Sequence, residues 1–110
     1  MRNYNDLDWG WMNEDADLAK YHKNSIINEI FKSKIYEEIY QVKEGDVVVD
    51  IGASIGPFTY SILDTNPKMV YVLEPSTSEF ETITKNLDDN SNVTLINKGI
   101  TYRDNVIKSN

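Results

Sequence analysis

The chain has no cysteine, which removes disulfide staples and thiolate metal sites from consideration, and no metal site is expected. Basic residues are scarce: 11 Lys and Arg face 18 Asp and Glu, a formal charge of −7. That balance disfavours a surface that tracks phosphates with clustered cations, so no nucleic-acid partner is expected. No apolar run approaches the roughly 20 residues a membrane-spanning helix needs, and no membrane partner is expected. The opening residues Met1–Asp6 contain no apolar stretch of the kind a signal peptide carries. These absences point to the cytoplasm. Histidine occurs once, at His22, so any chemistry that needs a histidine later in the chain is excluded. What remains is ordinary for a globular protein: 110 residues, 40% hydrophobic and 26% charged, enough for one small domain.

Residues 1–22 are polar and acidic, with Asp6, Asp8, Glu14, Asp15 and Asp17 against Arg2 and Lys20. Nothing there is periodic, so the segment reads as a loose arm. The competing reading is that Trp9, Trp11 and Met12 dock on the domain or cover a ligand. The domain itself is expected over residues 23–110. From Asn24 to Tyr40 the apolar positions Ile27, Ile30, Phe31, Ile35, Ile39 and Tyr40 form one stripe of an amphipathic helix. Three nearly continuous apolar runs follow, Val47–Ile51, Met69–Leu73 and Val93–Ile96, as strands of a parallel sheet buried on both faces would require. Between them, Pro57 suits the first turn of a helix reaching about Asp64. Ser76-x-x-Glu79 forms a capping box for a second helix whose apolar face is Phe80, Ile83 and Leu87. The fold class is therefore α/β: a Rossmann-like half domain with a three-stranded parallel sheet in the order 3-2-1, flanking helices and an N-terminal amphipathic helix. The segment after Lys98 carries no assignable pattern.

The turn after the first strand carries the chemistry. Gly52 and Gly56 flank Ser54 between a strand and a helix, where glycines allow a tight turn and let a ligand approach the backbone. The helix start beyond it favours a polar or anionic ligand group. Glu74 closes the second strand, where an acid can accept hydrogen bonds from ribose hydroxyls. Asp50 ends the first strand and faces the same crevice. Each feature has a plainer explanation: a glycine turn can serve packing alone, and a carboxylate at a strand end is often a solvated cap. Three ligand classes compete for the turn. A dinucleotide site wants G-x-G-x-x-G, and the run Gly52-Ala53-Ser54-Ile55-Gly56-Pro57 has Ser and Pro where glycines belong. The same residues spell the G-x-S-x-G of a hydrolase elbow, but no histidine follows Ser54 to complete a triad.

The third class is carried by a resemblance. Residues 45–59, from Gly45-Asp46-Val47 through Gly56-Pro57-Phe58-Thr59, resemble the first motif of FkbM-type methyltransferases, a class I S-adenosylmethionine-dependent family. Val70-Tyr71-Val72-Leu73-Glu74-Pro75 resembles the second motif, and Phe80, Leu87 and Asn90 are similar to its next helix. The resemblance implies S-adenosylmethionine as cofactor, with Asp50, Gly52, Ala53, Ser54 and Gly56 around it, Glu74 on its ribose, and Gly99 and Ile100 beside its adenine. It implies O-methyl transfer to a small molecule or sugar. No catalytic base can be nominated. Members of this family have a second half that this chain does not show, so the expectation is a truncated cofactor-binding part, inactive alone. The alternative is a non-catalytic nucleotide-binding or interaction module. The unpaired edge of the first strand leads to one more expectation, a homodimer formed across it.

Overall fold

The computed structural model describes residues 2–32 and 41–100, together with the backbone of 106–108. Its centre is a parallel sheet of β1 (Val47–Ile51), β2 (Met69–Leu73) and β3 (Val93–Ile96) in the order β1-β2-β3. Val48 pairs with Val70 and Val70 with Val93, so one residue register runs across all three strands. This is the topology expected from the three apolar runs. Strand β2 is central and pairs on both sides, and its Val70 and Val72, on the face that meets the core, are fully buried. Helix α2 (Pro57–Ile62), extended by a 3-10 turn at Leu63–Thr65, and helix α3 (Thr77–Leu87) provide the crossovers.

Both helices pack on the sheet face that carries Val48, Val70 and Val72, and Ile62, Ile83 and Leu87 complete a core with them. The opposite face differs. Val47, Val49 and Ile51 are each more than half exposed, and Tyr71 beside Val49 is also open. Continuous apolar strands led to the expectation of burial on both faces, and among the described residues only one face is covered.

The N-terminal segment is where the structure departs most from the expectation. Residues of the supposed loose arm form 3-10 turns at Tyr4–Asp6 and Gly10–Asn13, and Leu7, Trp9 and Met12 enter the core. Trp9 is 2% exposed and its indole N–H donates to the Tyr4 carbonyl at 2.9 Å. Docking of the tryptophan is thus the outcome. A helix α1 begins at Asp17 and runs to Ile26, seven residues earlier than the periodicity suggests. It continues as a π-helical turn over Ile27–Lys32, and the rest of the expected stripe, including Ile35 and Ile39, lies outside the described residues. At the other end, β4 (Lys98–Ile100) and β5 (Val106–Lys108) form a separate antiparallel pair, an element the polar sequence there does not announce. No helix among the described residues is long and apolar enough to cross a membrane.

Candidate functional site

The loop between β1 and α2 turns the chain within five residues, 52–56, and its backbone shows how. Gly52 has φ +69°, Ser54 φ +57° and Gly56 φ +92°, three left-handed residues in five. The two glycines answer to different demands. A Cβ on Gly56 would sit 2.9 Å from Leu87 Cδ1, so this position is small because α3 packs against it. A Cβ on Gly52 would meet nothing within 4 Å, so this position opens onto free space. The plainer reading of a packing glycine therefore holds for Gly56, and the ligand-approach reading is left for Gly52.

Ser54 is the strained member, since a side chain in the left-handed region costs on the order of 1 kcal/mol. Glu74 restrains it. One carboxylate oxygen accepts the Ser54 N–H at 2.7 Å and the other accepts the Ser76 N–H at 2.9 Å. Glu74 is 5% exposed, and it ties the glycine turn to the start of α3. The capping box is correspondingly only half made. Ser76 Oγ accepts the Glu79 N–H, but the Glu79 carboxylate turns away to accept from Trp11 Nε1 at 3.1 Å and Ser54 Oγ at 3.3 Å. The turn is further fixed where Gly52 and Ala53 N–H groups donate to the Leu73 carbonyl at the end of β2.

Beside this turn lies a cavity of about 400 Å³, within the range of small-ligand sites. Of the residues expected to hold a cofactor, Asp50, Gly52, Ala53 and Ser54 line it. Gly56 lies beneath the turn, and Glu74 sits behind it, engaged with backbone amides. Gly99 packs on the Pro75 ring next to Glu74, and Ile100 is half exposed on β4. Asp50 accepts the Thr59 hydroxyl at 2.8 Å. Burial pushes its carboxyl above the ordinary value of 3.8, with the Glu74 charge adding to the effect, while hydrogen bonds from Thr59 partly oppose it. The far wall comes from residues the sequence reading did not nominate: Ile26, Glu29 and Ile30 on the N-terminal helix, and Phe58 at the start of α2. Of these, only Ile30 belonged to the stripe read from the sequence, and nothing in that stripe said which surface it meets. Asn86 was also missed. Its side chain accepts the Asp8 N–H at 2.7 Å and donates to the Asp8 and Ile55 carbonyls at 2.9 Å, joining the N-terminal segment, the turn and α3. Among the described residues no group of three or more His, Cys, Asp or Glu could hold a metal ion.

No family model matches the chain. Ribosomal RNA small subunit methyltransferase A of Sulfurihydrogenibium sp. (strain YO3AOP1) is 33% identical over 85 residues, which is 77% of this chain and 33% of that protein. The chain thus spans about a third of the length of this curated relative. Among solved structures, that of PRMT6-SAH superposes with a TM-score of 0.55 at 24% identity, over 76% of this chain and 26% of that one. Methyltransferase FkbM from Methylobacillus flagellatus KT gives a TM-score of 0.51 at 19% identity, over 67% of this chain and 21% of that one. At these identities the structural likeness is one of fold, and the FkbM class is not singled out. One expectation is overturned. The relative acts on ribosomal RNA, so the charge argument against a nucleic-acid partner and the expectation of a small-molecule or sugar acceptor do not stand. The physical reason is that net charge describes the whole segment, whereas a cofactor-holding sheet need not itself track phosphates. The strand order, the glycine turn and the neighbours agree on the coarser point: the fold is that of the S-adenosylmethionine-dependent methyltransferases.

Proposed function

We propose that the chain binds S-adenosylmethionine in the cavity at the carboxyl end of β1 and serves methyl transfer to an RNA. The observation that carries the reading is the turn itself: a left-handed Gly52 open to the cavity, in a loop that Glu74 holds through the Ser54 N–H, next to a half-buried Asp50. Ligands of α/β folds bind beyond the carboxyl ends of the strands, where this turn lies. The residues fit the group. Gly52 leaves room for a ligand against the backbone, Asp50 supplies a carboxylate for its cationic part, and Ile26, Ile30 and Phe58 supply apolar walls. Each Glu74 oxygen accepts one backbone N–H and keeps a further lone pair for a ribose hydroxyl. Gly99, packed beside Glu74 through Pro75, and Ile100 extend this end of the site toward an adenine. When bound, the cofactor supplies a methyl group on a positively charged sulfur. The chain's own contribution is placement, which carries much of the catalysis in such displacements. RNA as acceptor class follows the ribosomal RNA methyltransferase relative.

Calorimetric titration with S-adenosylmethionine and with NAD tests the reading. The expected result is binding of the former in preference to the latter, and at least tenfold weaker binding in Gly52→Val, whose side chain would enter the open space. Preference for NAD, or a Gly52→Val variant that folds and binds as wild type, would overturn it.

A further inference from the structure

The cavity wall opposite the glycine turn is built by the N-terminal helix, and its composition is unbalanced. Ile26 and Ile30 present apolar surface, and between them Glu29 brings a carboxylate to the same face. The element here is a π-helical turn, Ile27–Lys32, with wider winding than an α-helix. Such turns are frequent at functional sites. Glu29 makes no hydrogen bond or ion pair with any described residue, although carboxylates on this surface elsewhere find partners, as Asp15 does with Lys20 at 2.7 Å. Asp50 adds a second carboxylate from the other side. Among the described residues no Lys, Arg or His lines the cavity to balance them.

We infer that Glu29 is a specificity-determining residue that reads the positive charge of the ligand's sulfonium and so favours the methyl donor over its demethylated product. The inference rests on the cofactor reading above. Its logic is electrostatic. Donor and product share the adenosine and the amino-acid end, and they differ in one methyl group and one positive charge. An unpaired carboxylate in a half-apolar wall attracts the charged form and is indifferent to the neutral thioether. After transfer the attraction is gone, which favours release of the product. Asp50 is held by Thr59 and contributes to both ligands through their shared ammonium. Glu29 is exposed and has no partner among the described residues, so it is the carboxylate placed to discriminate.

The test is calorimetric titration of wild type, Glu29→Gln and Glu29→Asp with S-adenosylmethionine and S-adenosylhomocysteine. Melting temperatures of the three proteins are compared alongside, since an exposed helix position should leave them unchanged. The expected result is an affinity for the donor about fivefold lower in Glu29→Gln, within the range of exposed charge pairs. Affinity for the product should change by less than about twofold, and Glu29→Asp should restore most of the preference. An unchanged donor-to-product ratio, or equal losses for both ligands, would overturn the role of Glu29 while leaving the cofactor site intact. Failure of the wild type to bind either ligand would overturn both readings.

Discussion

At the scale of single residues, the carboxylates of this site make different contacts, which their positions in the sequence do not separate. Asp50 and Glu74 both end strands and both looked like ligand groups. In the structure Glu74 is first a structural anchor, a buried carboxylate accepting the Ser54 and Ser76 backbone N–H groups. Its replacement by Ala should therefore lower stability by about 2–4 kcal/mol, seen as a reduced urea midpoint, whatever happens to binding. A loss of cofactor affinity in that variant alone would not isolate a ribose contact. Asp50 offers a cleaner experiment through pH. Its carboxyl is held above the ordinary 3.8, chiefly by burial. A raised acid stabilises the fold while protonated, and this contribution is lost as pH rises through the elevated folded value. Wild type should thus lose stability relative to Asp50→Asn as pH climbs from below 3.8 through that value, then run parallel to it. Urea denaturation of both proteins across this window checks the sign. A difference that is flat with pH, or that grows in favour of wild type, would contradict a raised Asp50 carboxyl.

Elements were legible where local chemistry decides them and illegible where a distant contact does. The three strands follow from continuous apolar runs, and α3 from its Ser76 cap and its Phe80, Ile83, Leu87 stripe, because each signal lies within a dozen residues. The glycine turn was legible for the same reason: a left-handed backbone at Gly52 and Gly56 is written into the residue type. The N-terminal segment was not, since its order depends on Asn86, which is 78 residues away from Asp8. A polar, aperiodic stretch does not reveal that an amide on another helix completes its hydrogen bonds. Nor could the apolar stripe beginning at Ile27 reveal a π-helical turn, because the period differs little over six residues. Asn86 gives this long-range order a direct measure. Asn86→Ala removes three hydrogen bonds, leaving the Asp8 N–H and the Asp8 and Ile55 carbonyls without that partner. The expected outcome is a loss of about 2–4 kcal/mol and faster amide exchange across Asp8–Met12. Exchange unchanged in that segment would mean that Trp9 and Met12 hold it by packing alone.

The whole molecule is asymmetric about its sheet. On one face Val48, Val70 and Val72 lie beneath α2, α3 and the N-terminal segment, while on the other Val47, Val49, Ile51 and Tyr71 meet no described element that buries them. Apolar patches of this kind are uncommon on isolated domains, and they make the two faces energetically unequal. Val72 and Val49 test the inequality with the same chemistry. Both are valines in adjacent parallel strands, in neighbouring register rows and on opposite faces. Val72 is 0% exposed, and its replacement by Ala removes two buried methyl groups and leaves a cavity, a cost of about 2 kcal/mol. Val49 is 54% exposed, so Val49→Ala should cost less than about 1 kcal/mol, including any loss of strand preference. Equilibrium urea unfolding of the two variants, with the denaturant slope unchanged from wild type, gives the comparison directly. A Val49→Ala cost as large as that of Val72→Ala would show that in solution the open face is buried as deeply as the covered one.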